Sequence, residues 1–177
     1  MNYYGAKELA EAFRTVRKNT LIIAEDIPED KYGFKPAPET RTVAQTLAHV
    51  AISTRWAIEM AKVKSVAGFD FPALFKAAKE EESKPRSKAE LIELLKSEGD
   101  RFASFLEGLK EDLFPEVMEL PFGNKTRFEM MLGPKEHEMH HRAQLMLVER
   151  MLGIVPHLTR QMQQRMAEAE KTRAATT

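Results

Sequence analysis

Histidines near the carboxyl end are the residues of this chain best suited to chemistry. The segment PKEHEMHHRAQL, residues 134–145, holds three of the five histidines, and His137, Glu138 and His141 spell H-E-x-x-H. Residues four apart on a helix lie about 5–6 Å apart at Cβ on one face, so His137 and His141 can bind the same metal ion. His140 is rotated off their axis. The segment therefore predicts two metal ligands that one helix orients.

A stable mononuclear site needs at least a third protein ligand. The chain has no cysteine, so the ligands must be histidine, aspartate or glutamate. The two remaining histidines are His49 and His157. His49 is the better candidate, because it lies within the apolar segment TLAHVAIS, where a buried imidazole needs partners for its ring nitrogens. His157 follows Pro156 in a connection, and we expect it to be exposed.

The H-E-x-x-H motif also occurs in zinc proteases, where the glutamate is the general base. The longer metzincin motif requires glycine at 144 and histidine at 147, but the sequence has Gln144 and Leu147. The downstream acids Glu149, Glu168 and Glu170 lie on the same helix or in a polar terminus, so they offer no third ligand from a separate packed helix. No predicted strand could hold an extended peptide. A zinc protease is therefore the less favoured alternative.

Composition limits the other functions open to the chain. The 177 residues are 43% hydrophobic and 31% charged, which is typical of one globular domain with a substantial core. The 27 basic and 27 acidic residues balance, so neither nucleic acid nor a membrane surface is an expected partner. The N-terminus carries charges where a signal peptide needs an apolar run, and no later run approaches the ~20 apolar residues of a membrane span. We therefore expect a cytoplasmic protein.

Apolar residues at helical spacing predict an all-α fold with four long helices. The first is expected from Gly5 to Ile27, ended by Pro28. The other three follow Thr42, Ser87 and Thr126, each of which precedes a glutamine or glutamate by three residues. This spacing is the signature of a capping box at a helix N-terminus. The second long helix carries His49, and the fourth carries the H-E-x-x-H motif.

Shorter elements are expected between and after the long helices. The segment FPALFKAAKEEE predicts a short helix, and LFPEVMELPFGNKT predicts a turn or brief extended chain. Pro134 either kinks the fourth long helix or begins a new one. Gly153 should end that helix, and a polar helix then fades into a disordered tail over about residues 170–177. Residues 1–177 are thus predicted to form one domain, a four-helix bundle with short additional helices.

Three features occur together in this chain. They are a histidine within a helix that follows a capping threonine (TVAQTLAHV), the late segment HEMHHRAQL, and a Leu-Gly-Ile-x-Pro exit. In combination they resemble the DinB family of metal-binding four-helix bundles, over about residues 6–155. The resemblance implies a bundle of DinB type, with His49, His137 and His141 as the metal ligands. Ala143 stands where the family often has glycine, and alanine is well tolerated in a helix.

The resemblance also implies a class of chemistry. We expect a divalent transition metal, with zinc and nickel as the first candidates, and a small-molecule substrate. Related proteins include thiol-dependent S-transferases, and because this chain has no cysteine, a low-molecular-weight thiol would have to come from a cosubstrate. Hydrolysis is the variant reaction. Glu138 is a candidate general base and Arg142 a candidate for holding an anionic substrate group, although either could simply be a surface residue. A homodimer is expected from the family.

The alternative function is a non-catalytic bundle, in which a metal ties two helices together or which binds a small molecule. An open coordination position in a pocket would favour the enzyme, and a fourth protein ligand would favour the structural role. Trp56, two turns after His49, could line such a pocket, but we expect it to pack in the core. The ten methionines are expected to fill the core, and the run KEEESKPRSK to form a solvated turn.

Overall fold

The computed structural model describes residues 4–120 and 123–175 of the chain. Within these residues the chain forms six α-helices and one short hairpin. The helices are α1 (Ala6–Asp26), α2 (Val43–Ala61), α3 (Phe71–Glu82), α4 (Lys88–Glu107), α5 (Arg127–Met151) and α6 (His157–Ala175). The hairpin pairs β1 (Val117–Met118) with β2 (Lys125–Thr126) in antiparallel orientation. Single turns of 3-10 helix, Glu29–Lys31 and Glu111–Leu113, lie in the connections after α1 and α4.

The predicted capping boxes are present at the N-termini of α2, α4 and α5. The hydroxyl groups of Thr42, Ser87 and Thr126 each accept the backbone N–H of the residue three positions on. In each box the glutamine or glutamate side chain accepts the N–H of the capping residue in return. The boxes supply partners for N–H groups that the first turn of a helix cannot satisfy by itself. Local sequence therefore fixes where three of the long helices begin.

Four long helices form the bundle. Helix α1 packs against α4 and α5, and α2 packs against the same two helices, whereas α3 lies on the outside against α2. The core consists of two apolar clusters. One includes Ile23, Leu47 and Leu95, and the other is centred on Phe13 and Phe102, whose rings meet edge to face at 4.8 Å. Burial of these side chains supplies the main driving force for the arrangement.

Helix α5 continues through Pro134 as a single helix, so of the two alternatives the one in which a new helix begins there is wrong. The helix ends before Gly153, which adopts a φ of +78° that glycine favours. Helix α6 then runs to Ala175, so residues 170–175 are helical where the sequence predicts a tail; residues 176 and 177 lie outside the described part of the chain. None of the described helices combines the length and apolarity that a membrane span requires.

The methionines are distributed differently from the prediction. Met118 and Met131 are buried as expected. Four others are large exposed apolar residues, namely Met139, Met151, Met162 and Met166. Core filling is therefore the wrong role for these four.

Candidate metal centre

Three histidines converge where α2 packs against α5. The Nε2 atom of His137 lies 3.0 Å from Nε2 of His49 and 3.2 Å from Nε2 of His141. One ligand atom from each of the three rings lies within 4.8 Å of the others. Nitrogens bound at about 2.0–2.1 Å to a tetrahedral ion would lie roughly 3.3 Å apart, so the donor set fits such an ion. The convergence predicted from the sequence is confirmed.

Two of the three rings have a hydrogen-bond partner at Nδ1, the nitrogen that faces away from the triad. Nδ1 of His49 lies 2.6 Å from Oε1 of Glu82, and Nδ1 of His141 lies 2.8 Å from Oε1 of Gln144. A carboxylate can only accept, and we assign the amide oxygen as acceptor too, so each Nδ1 carries the hydrogen. This tautomer leaves the lone pair of Nε2 directed toward the centre of the triad. Metal-binding histidines commonly have such a partner behind the ring.

Burial favours the neutral form of His137 and His141. It is the main cause that lowers the pKa of His137 to about 4, and the neighbouring His141 and His49 contribute to the same shift. Burial also lowers the pKa of His141, although the hydrogen bond with Gln144 opposes this effect. Neutral imidazole is the form that binds a metal ion, so these two rings need not lose a proton first at neutral pH.

Glu82 is the carboxylate partner of the site. It is the last residue of α3, its side chain is buried, and its second oxygen accepts a hydrogen bond of 2.7 Å from Nε of Arg41. Burial acts to raise the pKa of Glu82, but the hydrogen bonds from His49 and Arg41 outweigh it and leave the pKa below its usual value. Glu82 is therefore ionised at neutral pH and can orient the ring of His49.

The triad opens into a cavity of about 1400 Å³. Its walls come from α2, α3, α5, β2 and the loop before α2. Apolar side chains that line it include Trp56, Met60, Phe75, Met130 and Leu147. Four cations also line it, namely Lys35, Arg41, Lys79 and Lys125. The mixed apolar and charged lining is typical of a small-molecule site, and the volume exceeds the roughly 300–1,000 Å³ of most such sites. Trp56 is half-buried in this wall, so the expectation that it packs in the core is wrong.

A model of the DinB superfamily matches residues 12–145, which include the whole triad. The chain belongs to the DinB superfamily. The family expected from the sequence is thus confirmed.

Solved structures of DinB-like proteins share the fold of this chain. YjoA of Bacillus subtilis, an uncharacterised protein, is 25% identical over 151 residues, 84% of this chain and 91% of YjoA. Its crystal structure matches with a TM-score of 0.63 at 22% identity, covering 82% of this chain and 92% of YjoA. YfiT of the same organism, described as a probable metal-dependent hydrolase with an unusual four-helix bundle topology, has a TM-score of 0.68 at 16% identity. That match covers 87% of this chain and 91% of YfiT.

These likenesses confirm the all-α bundle of DinB type. At identities this low they establish the fold alone, so the site must be judged from its own residues. Two other residues predicted for the DinB site, Glu138 and Arg142, are not brought to the cavity by the fold.

Glu138 lies in the interior of the bundle, with 1% of its surface exposed, so the prediction that it could be solvated is wrong. Its carboxylate is bound by Arg17 of α1 at 2.9 Å, and it does not line the cavity. This placement does not favour a general base. Arg142 is half-buried and is also absent from the cavity wall. The H-E-x-x-H match therefore supplies two histidines of the triad but no base beside them.

The remaining histidines lie outside the triad. His157 is 3% exposed, and its Nε2 lies 3.0 Å from Oδ1 of Asn19, so the expectation of an exposed residue is wrong. Burial lowers its pKa. His140 is exposed and lies beside the triad, where its Nε2 is 3.1 Å from Nε2 of Gln144. Its rotation away from the pair on α5 is as predicted.

The role of Glu82 was not predicted from the sequence. This residue falls in the run KEEESKPRSK, which we expected to be a solvated turn, and nothing local separates it from its acidic neighbours. Gln144 could have been found from the sequence, because it belongs to the segment HEMHHRAQL that resembles the DinB family.

Proposed function

We propose that this DinB protein is a metal-dependent enzyme acting on a small molecule, with a divalent transition metal bound by His49, His137 and His141. The observation that carries the proposal is the convergence of three Nε2 atoms on one point at the wall of a large cavity. Supporting it, Glu82 and Gln144 fix the tautomer and orientation of two rings.

A set of three protein ligands at the wall of a cavity favours an enzyme over a structural metal. The cluster of metal-binding side chains in the described part of the chain has three members, all histidines. Catalytic zinc sites keep three protein ligands and one position for water or substrate, whereas structural sites are closed by a fourth protein ligand. The non-catalytic bundle remains the alternative function. The zinc protease is less favoured still, because Glu138 is committed to Arg17.

Thiol-dependent S-transfer and hydrolysis are the two reactions that we propose. When bound, a divalent cation supplies a Lewis acid that lowers the pKa of a water or thiol. In S-transfer the thiolate sulfur forms a bond to an electrophilic carbon while the leaving group departs with its electron pair; in hydrolysis a water oxygen attacks instead. The description of YfiT as a probable hydrolase supports the second reaction. The thiol must be a cosubstrate, because the chain has no cysteine.

The cavity residues bind and orient the substrate in this proposal. The indole of Trp56 and the side chains of Met60 and Met130 exclude water from the apolar part of the cavity. Lys79 and Lys125 can contact an anionic group, the role that the sequence suggested for Arg142. Glu138 has no catalytic role here. Zinc and nickel are the first candidate metals, although three imidazoles also accept cobalt or iron.

Metal content by elemental mass spectrometry tests the proposal first. Wild-type protein incubated with Zn²⁺ or Ni²⁺ and desalted should retain close to one ion per chain, and H49A and H141A should lose it. H140A is the matched control, because it removes an exposed histidine from the same helix. Wild type that remains metal-free would overturn the proposal.

The reaction is tested on the metal-loaded protein. Low-molecular-weight thiols should be consumed with an electrophile in the S-transfer reaction, and esters or amides should be cleaved without a thiol in hydrolysis. Either activity should disappear after treatment with a chelator and return with the metal. A loaded protein inactive in both assays would favour the structural metal. The homodimer expected from the family stays a prediction, which light scattering in solution would test.

A further inference from the structure

Helix α3 forms one wall of the cavity but buries few side chains against the bundle. Phe75, Ala78, Lys79 and Glu82 share the spacing of one helix face, and all four line the cavity. Of the twelve residues of α3, Glu82 is the buried one, and Phe75 is 71% exposed. The ring of Phe75 packs beside Phe71, on the same helix. Apolar burial therefore contributes little to holding α3 in place.

Glu82 attaches α3 through both carboxylate oxygens. Oε1 accepts the Nδ1–H of His49 on α2 at 2.6 Å, and Oε2 accepts the Nε–H of Arg41, which precedes α2, at 2.7 Å. Hydrogen bonds between charged or ionised groups are stronger than neutral ones, especially when one partner is buried. The contact that holds the cavity wall is thus also the contact that orients one member of the triad.

We propose that Glu82 is a positioning residue that couples the triad to the docking of α3 over the cavity. Its carboxylate sets the ring of His49, and the same hydrogen bond holds the C-terminal end of α3 against α2. The coupling to metal rests on the proposed function, whereas the docking of α3 by Glu82 stands on the geometry alone.

The physical reason for the coupling is electronic. A cation on Nε2 of His49 draws electron density from the ring, which makes the Nδ1–H a better donor to Glu82. Metal binding should therefore strengthen the docking of α3. Linkage requires the reverse effect to be equal, so docked α3 tightens metal binding by the same factor. Occupation of the triad would then make the opening of this cavity wall rarer.

Hydrogen exchange of α3 and the affinity for Zn²⁺ test this inference together. E82Q keeps the size of the side chain but removes its charge, and E80Q is the matched control, because Glu80 is an exposed residue of the same helix. In metal-free protein, E82Q should speed exchange of the amides of residues 71–83 several-fold and leave those of α4 unchanged. By competition with a chromophoric chelator, E82Q should weaken Zn²⁺ binding roughly 10–100-fold. E80Q should change neither, and E82D should restore part of both.

The outcomes separate the two proposals. Zn²⁺ should slow the exchange of α3 in wild type and do so much less in E82Q. If E82Q weakens Zn²⁺ binding but leaves the exchange of α3 at the wild-type rate, the docking role is wrong while metal binding stands. If wild type binds no Zn²⁺, the proposed function and the metal coupling both fail, and the metal-free comparison of E82Q with wild type still decides whether Glu82 docks α3.

Discussion

Arg17 and Glu138 form a bidentate ion pair inside the bundle. Nε of Arg17 lies 2.9 Å from Oε1 of Glu138, and Nη2 lies 2.9 Å from Oε2. The guanidinium also donates to the carbonyl oxygens of Leu95 on α4 and Val50 on α2. One side chain of α1 therefore contacts the other three helices of the bundle. Two of these contacts lie one residue from His49 and His137, so the pair sets the register of the helices that carry the triad.

Substitution of one member of this pair should lower the free energy of unfolding more than substitution of both members together. E138M or R17M leaves a buried charge without a partner, and we expect each to lower the free energy of unfolding by about 3–5 kcal/mol. The double variant R17M/E138M should lose clearly less than the sum of the two. Urea denaturation of the four proteins in a double-mutant cycle, with a chelator present, measures the coupling.

An exposed ion pair that also begins on α1 is the control for that cycle. Arg14 on α1 pairs with Glu107 on α4, and their side chains are 42% and 43% exposed. E107Q should leave the free energy of unfolding nearly unchanged, because exposed ion pairs contribute little. A coupling near zero for Arg17 and Glu138 would contradict the structural role that we assign to the pair.

Substitution of Gly99 in α4 by alanine should destabilise the protein, although alanine is the better helix former. A Cβ at this position would lie 2.9 Å from Cγ and 3.1 Å from Nη1 of Arg17, whose side chain is held in place by hydrogen bonds to Glu138, Leu95 and Val50. We expect G99A to destabilise the protein by about 1–2 kcal/mol, since the clash exceeds the helix-propensity gain of about 1 kcal/mol. Thermal unfolding measures this effect. G108A, where the nearest atom would be at 3.6 Å, should cost much less.

Glu149 should make the stability depend on pH. Burial, with a smaller contribution from Asp26, raises its pKa to about 7. Neither carboxylate oxygen has a hydrogen-bond partner among the described residues. The folded state therefore binds the proton more tightly than the unfolded state does. The stabilisation is complete below the ordinary pKa of about 4.5 and is lost as the pH rises toward 7.

The variant E149Q isolates this effect, because glutamine cannot ionise. Relative to wild type, E149Q should gain free energy of unfolding between pH 5 and pH 8, by roughly 2 kcal/mol at the upper end. Urea denaturation at both pH values, with a chelator present, gives the comparison. E168Q alters an exposed carboxylate of α6 and should follow the wild-type profile. A difference between E149Q and wild type that stays constant with pH would show that Glu149 does not titrate in this range.

Zinc should stabilise the folded chain against denaturation if the triad binds it. At a free concentration one hundred times its dissociation constant, a ligand of the native state adds about 2.7 kcal/mol to the free energy of unfolding. H141A should show no such gain, while H140A should behave as wild type. Denaturation at several zinc concentrations measures the slope. An equal gain in H141A would place the bound zinc elsewhere on the chain.

Local patterns account for the features that were predicted correctly. The capping boxes at Thr42, Ser87 and Thr126 and the apolar spacing set the long helices, since both depend on residues within one or two turns. The spacing of His137 and His141 likewise follows from helix geometry alone. His49 could be chosen because an imidazole in an apolar helix needs a partner.

The features that were missed depend on contacts far apart in the chain. Glu82 lies 33 residues from His49, and Arg17 lies 121 residues from Glu138. No spacing rule links such residues. The charged run around Glu82 therefore did not indicate His49 as its partner, and the protease motif around Glu138 did not indicate Arg17. His157 was assigned to the surface because of its neighbour Pro156, although packing against α1 buries it.

The triad and the rest of the cavity wall stand on different parts of the fold. The three histidines belong to α2 and α5, which the bundle core and the Arg17 ion pair hold rigidly. Lys35, Phe75 and Lys125, by contrast, come from a loop, an outer helix and a two-residue strand. Substitutions and insertions are tolerated best in such peripheral segments. Changes in the periphery would therefore alter what the cavity can bind while the three imidazoles keep their positions.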